Sequence, residues 1–114
     1  MARGSPEDIA VVAADVWIGR LLEDFVASRG WRAVPVAPVR VERELGRLRA
    51  SRVILCDLDL WPRQLDLVRS VGRPLIYFSS SSRLRYLGVP ADAAAAIELP
   101  PNWAELHVLI RSLL

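Results

Sequence analysis

Short, continuously apolar runs alternate with amphipathic segments along most of this sequence, and this alternation restricts the fold more than any other feature. An apolar run without polar alternation is typical of a strand that is buried on both faces of its sheet. Strands that alternate with helices through short loops form a parallel sheet with helices on both sides. The sequence therefore predicts an α/β fold with five strands, at residues 9–14, 31–37, 52–56, 74–78 and 94–99.

The segments between these runs carry apolar residues at helical spacing. Asp15 is placed to cap the first predicted helix, and Gly30 ends it. We expect residues 1–8 to be a flexible lead-in and residues 9–114 to form one domain. Further helices are predicted over residues 39–50 and 61–71, in a short segment at 83–88, and from Pro100 onward.

Composition excludes several classes of function. The chain contains no lysine, so it cannot form a Schiff base or bind phosphate through an ammonium group. A net charge of +2 is too small to predict nucleic-acid binding by itself. Cys56 is the only cysteine, which excludes an intrachain disulfide and favours a reducing compartment. No run has the length of a membrane span, and the first residues lack the apolar core of a signal peptide, so we expect a cytoplasmic protein without a membrane partner.

Candidate chemistry lies where an open parallel sheet binds its ligands, beyond the carboxyl ends of the strands. Asp57 and Asp59 follow the third predicted strand, and Ser79 follows the fourth. In order and spacing, three segments of this region together resemble response-regulator receiver domains. The segments are VILCDLDLWP at residues 53–62, PLIYFSS at 74–80 and AIELPPNWAELHVLIRSLL at 96–114, and the resemblance covers nearly the whole chain.

The resemblance implies the flavodoxin-like strand order 2-1-3-4-5, with helices on both faces of the sheet. In receivers an aspartate accepts a phosphoryl group while a divalent metal neutralises the developing charge. Asp57 occupies the position of that acceptor, and Ser79 occupies that of the hydroxyl residue that moves to the phosphoryl group. The aromatic switch position on the fifth strand falls near Ala96.

The other positions of the phosphorylation site have lost their chemistry. The acidic pair that binds the metal in receivers falls on Ala13 and Ala14, and the lysine falls on Leu99 or Pro100. Asp15 lies one place beyond the acidic pair, where it is expected to cap the helix. We therefore predict a degenerate pocket with no metal and no cofactor, and a protein that is not an enzyme.

Several side chains have a structural and a functional interpretation. Asp57 is expected to bind nearby backbone N–H groups rather than to accept phosphate, and Asp59 is expected in a solvated loop rather than at a metal. Cys56 is predicted to be buried and unreactive. Trp17 and Trp61 are predicted near the degenerate pocket, where they either plug it or offer an aromatic anchor to a partner.

The best hypothesis is a pseudo-receiver, a phosphorylation-independent module for protein–protein interaction or homodimerisation in bacterial signalling. In receivers the fourth helix, fifth strand and last helix often mediate self-association. Nucleic acid is expected to be contacted only through a separate output domain. The predicted interface residues are Arg83, Arg85, Tyr86, Glu98, Trp103, His107 and Arg111, with His107 exposed or at the interface.

Two alternatives remain. One is a receiver that is still phosphorylated at Asp57, with Asp59 or Asp15 replacing the missing metal ligand. The other is a small-molecule-binding regulatory domain that uses the serine run at residues 79–82 and a cleft between Asp15 and Asp57.

Overall fold

The computed structural model describes residues 7–80, 84 and 88–114, and these form a five-stranded parallel sheet in the order β2-β1-β3-β4-β5. The predicted fold class and strand order are therefore confirmed. The strands are β1 (Asp8–Val12), β2 (Arg32–Pro35), β3 (Val53–Asp57), β4 (Leu75–Ser80) and β5 (Ala95–Leu99). The helices are α1 (Val16–Ser28), α2 (Leu45–Ala50), α3 (Pro62–Ser70) and the C-terminal helix α4 (Trp103–Ser112).

Both faces of the sheet are buried at β1 and β3, which explains the apolar runs in these strands, whereas the edge strands β2 and β5 include exposed residues. β3 lies in the centre, and all five of its residues are buried. Alternate residues of each strand point to opposite faces and so enter two separate cores. Ile54 and Tyr77 belong to the core that includes Leu48 and Val68 of α2 and α3, whereas Leu55 belongs to the core under α1 and α4.

The helix predicted over residues 39–50 is only partly present. Pro38–Arg40 forms a 3₁₀ turn, further turns follow, and regular helix begins only at Leu45. Val41 is 1% exposed and Leu48 is fully buried, and both pack in the same core. The turns therefore bring Val41 into the same core as Leu48, so both apolar residues are buried without a continuous helix between them.

Other predicted boundaries are close to the observed ones. β1 begins at Asp8, one residue before the predicted start, and ends before Ala13. The short helix predicted at 83–88 lies mostly outside the described residues. No described helix is long and apolar enough to cross a membrane.

Candidate functional site

Asp57 lies at the carboxyl end of the central strand, between the ends of β1 and β4. The residue is 4% exposed. Its Oδ2 atom accepts a hydrogen bond from the backbone N–H of Ala14 at 2.9 Å, and its Oδ1 atom accepts one from the N–H of Asp59 at 2.8 Å. The carboxylate thus joins the loop after β1 to the turn after β3, as a structural acceptor does.

The loop after β1 presents no carboxylate to Asp57 at the two positions where receivers carry acidic residues. Ala13 is half-buried and Ala14 is exposed. Asp15 is the N-cap of α1, as predicted, and its Oδ1 atom accepts hydrogen bonds from the N–H groups of Trp17 at 2.8 Å and Ile18 at 3.2 Å. This acid therefore stabilises a helix terminus.

Ser79 and Leu99 lie at the same carboxyl edge of the sheet, near the ends of β4 and β5. Ser79 is 1% exposed, and its Oγ atom has no hydrogen-bond partner among the described residues. Its backbone lies beside Glu98 on β5, and Leu99 follows as the last residue of that strand. Leu99 therefore places an apolar side chain at the position where the resemblance implies a phosphate-binding lysine. Pro100, the alternative position for that lysine, carries no charge either.

The donor set does not fit a divalent cation of the receiver type. Mg²⁺ requires several oxygen ligands in near-octahedral geometry. Ala13 and Ala14 supply no side-chain oxygen, and each oxygen of Asp57 already uses one of its acceptor sites for a backbone hydrogen bond. Asp59 is exposed, and the described part of the chain contains no group of three His, Cys, Asp or Glu residues that could hold a metal ion.

A crevice of about 220 Å³ opens beside Asp15, between α1 and residues 35–38. Arg20 and Glu23 line it, whereas Asp57 does not. Burial raises the pKa of Glu23, the nearby charge of Asp24 adds to this, and Arg20 opposes it. This crevice therefore differs from the cleft between Asp15 and Asp57 that the sequence suggested.

Cys56 is fully buried and precedes Asp57 in the central strand. Burial raises the pKa of its thiol to about 12, and the negative charge of Asp57 adds to the effect. The thiolate is the reactive form of cysteine, and burial disfavours it at this position. The predicted burial of Cys56 is confirmed, and its lack of reactivity stays a prediction.

Tyr77 of β4 forms a hydrogen-bonded group with Asp92 and Arg69, and the sequence did not predict this group. The Tyr77 hydroxyl lies 3.2 Å from both carboxylate oxygens of Asp92, and Arg69 Nε donates to Asp92 Oδ2 at 2.8 Å. Burial and the Asp92 charge raise the pKa of Tyr77, so its hydroxyl remains a donor. The three residues are 8 to 23 positions apart, and no sequence motif joins them.

The two tryptophans near the pocket do not plug it. Trp17 lies in the first turn of α1, and Trp61 immediately precedes α3. Both are 75% exposed. Of the two roles that the sequence left open, plugging the pocket is therefore excluded.

The predicted interface is only partly described. Arg83, Arg85 and Tyr86 lie outside the described residues, whereas Glu98 and Arg111 are exposed. Trp103 is 36% exposed, and its ring centroid lies 5.0 Å from that of Phe25. His107 is half-buried rather than exposed, because its ring stacks on Trp31 at a centroid distance of 5.1 Å.

No protein-family model and no curated protein matches the sequence. Solved structures do match. NtrX from Brucella abortus matches with a TM-score of 0.77 at 20% sequence identity, covering 95% of this chain, which spans 26% of the NtrX chain. A CheY-like receiver domain from Methylobacillus flagellatus matches with a TM-score of 0.76 at 15% identity, covering 96% of this chain and 100% of that domain.

A third solved structure contains the ion that this site does not fit. The receiver domain of the sensor histidine kinase PA1611 from Pseudomonas aeruginosa holds magnesium in its active-site cleft. It matches with a TM-score of 0.71 at 23% identity, covering 95% of this chain and 98% of that domain. These similarities show that the chain has the receiver fold.

Proposed function

We propose that this chain is a pseudo-receiver, which binds other proteins without first being phosphorylated. The observation that carries the proposal is the position of the Asp57 carboxylate. Its oxygens bind the backbone N–H groups of Ala14 and Asp59, and the neighbouring loop supplies no metal-binding acid at residues 13 and 14. The acceptor-like residue therefore has a structural task.

The loss of rate expected without these charged groups supports this proposal. Phosphoryl transfer depends mainly on positioning and on charge stabilisation. Loss of one electrostatic stabiliser typically lowers a rate by about 10²–10³. This chain has alanine at both positions of the acidic pair and Leu99 at the position of the cation. The combined loss leaves little of the acceleration that a receiver needs.

The proposed setting is the bacterial cytoplasm, where the domain acts in signalling through a protein partner or a second copy. Contact with nucleic acid is assigned to a separate output domain. The proposed binding surface includes the N-terminal end of α4, where Trp103 is partly exposed. An exposed aromatic side chain of this kind is a common anchor of protein interfaces.

The proposal is tested by incubating the chain with acetyl phosphate and Mg²⁺ and measuring its intact mass. We expect no phosphorylated product. A variant with Ala13→Asp, Ala14→Asp and Leu99→Lys restores the missing side-chain types and is the positive control. A phosphorylated natural chain whose product disappears with Asp57→Asn would contradict the proposal and support the still-phosphorylated receiver.

A further inference from the structure

An apolar groove of about 330 Å³ lies between α1 and the turn that joins β5 to α4. Ile18, Leu21 and Leu22 of α1 form one wall, and Leu99, Pro100 and Trp103 line the other. Sites for small polar ligands contain a few polar groups that fix the ligand's orientation. Among the described residues, all the side chains that line the groove are apolar, so the groove suits a hydrophobic protein side chain.

The same helix carries a side chain that can enter such a groove. Trp17 lies one helical turn before Leu21, and residues four apart are neighbours on a helix surface. Trp17 does not line the groove of its own chain, and it is 75% exposed. Val16 and Leu21 beside it are 70% and 58% exposed. The groove and an unburied indole are therefore parts of one surface.

We propose that two copies of this chain pair about a twofold axis, with Trp17 of each copy inserted into the groove of the other. This inference rests on the proposed function, because it names the partner of a protein-binding module. In a twofold interface the same patch serves both copies, so an anchor and a groove that lie side by side are used twice. No charged side chain in the described part of the chain lines the groove, so these walls bring no like-charge repulsion to a pair of copies.

The exposed apolar area is large enough for such a pair. Val16, Trp17, Leu21 and Trp103 together expose on the order of 500 Å² per copy, given that one large aromatic side chain offers about 150–250 Å². Two copies reach about 1,000 Å², the lower limit for a specific protein interface. An interface at this lower limit is typical of weak, reversible complexes, so we expect a dimer that dissociates on dilution.

Sedimentation equilibrium over a range of concentrations tests the inference. We expect a reversible transition from 12.7 kDa to twice that mass. Trp17→Ala removes the anchor from both copies and should weaken association about a hundredfold, if each contact contributes about tenfold. Trp61→Ala is the matched control, because Trp61 is also 75% exposed but does not line this groove, and it should leave association unchanged.

A mixing experiment distinguishes reciprocal insertion from general stickiness. Leu21→Arg blocks the groove but keeps Trp17, whereas Trp17→Ala keeps the groove but removes the anchor. Each variant alone lacks both contacts, and the mixture regains one of them, so it should associate at least about tenfold more tightly than either variant. Circular dichroism confirms that both variants remain folded.

The inference is overturned if the natural chain stays monomeric, if Trp17→Ala associates as tightly as Trp61→Ala, or if mixing restores nothing. A monomer would leave the groove to a different protein and would leave the proposed function standing. The proposed function fails separately, through phosphorylation of Asp57.

Discussion

At the scale of single residues, neighbouring groups decide what each side chain does. Asp57 ends a buried strand, as a phosphate acceptor does in the receiver pattern, but its two carboxylate oxygens accept hydrogen bonds from the backbone N–H groups of Ala14 and Asp59. The residue type and position could be predicted from the sequence. The hydrogen bonds could not be assigned, because they depend on how closely the loop after β1 approaches.

Cys56 yields a prediction about alkaline pH. Its thiol has a pKa of about 12 in the folded chain, against 9.0 for an ordinary cysteine, so the unfolded chain releases this proton first. The stability that results is complete below about pH 9 and falls by about 1.4 kcal/mol per pH unit as the pH rises toward 12.

The Cys56 prediction is checked by urea unfolding at several pH values from 8 to 11. Cys56→Ala should show a shallower decline than the natural chain, although its cavity lowers stability at every pH. Tyr77 is present in both proteins, and burial and Asp92 raise its pKa in both. Cys56 adds to the raised pKa of Tyr77, so its removal also weakens that contribution and makes the decline shallower in the same direction. Equal slopes in the two proteins would show that the thiol is not held protonated by burial.

At the scale of helices and strands, the boundaries that were predicted well depend on local chemistry. Asp15 caps α1 through its own carboxylate, and Gly30 follows the helix with a positive φ of 83°. The first four residues of β3 are apolar because both faces of the strand are buried. Patterns of this kind can be read within a few residues, and this is why the sheet and α1 were predicted correctly.

The features that escaped prediction depend on contacts between distant parts of the chain. α2 is short because a turn places Val41 beside Leu48 in one core, and this depends on the sheet beneath it. The contact of Tyr77 with Asp92 likewise joins a strand to a later loop. The groove under Leu21 forms only when α1 and the end of β5 meet.

The capping role of Asp15 gives a prediction about helix stability. Asp15→Ala should lower the free energy of unfolding by about 1 kcal/mol, because two N–H groups of α1 lose their acceptor. Asp15→Asn keeps a side-chain oxygen and should lose much less. Urea unfolding of both variants measures the difference.

If the Asn and Ala variants were equally destabilised, the charge of Asp15 and not its capping hydrogen bonds would be what matters. Asn102 caps α4 in the same way, because its Oδ1 atom accepts a hydrogen bond from the N–H of Glu105. Asn102→Ala therefore provides a matched reference for the cost of a lost cap.

At the scale of the whole molecule, the packing of the hydrophobic cores does not depend on which side chains occupy the carboxyl edge of the sheet. The two cores that flank the sheet hold the fold, and neither depends on a charge at the carboxyl edge. Residues at that edge can therefore change while the receiver fold remains, because function resides in a site placed on the fold. In this chain Leu99 and Pro100 replace a charged edge by part of an apolar groove.

The central claim, that the edge beside Asp57 does not hold a divalent cation, is tested most directly by titrating the ¹⁵N-labelled chain with Mg²⁺ and following its amide resonances. We expect no saturable shifts around residues 13–15 and 57–59 of the natural chain. The Ala13→Asp, Ala14→Asp variant, which regains two carboxylates, should show them. Saturable shifts in the natural chain that Asp57→Asn abolishes would show that this edge does bind Mg²⁺.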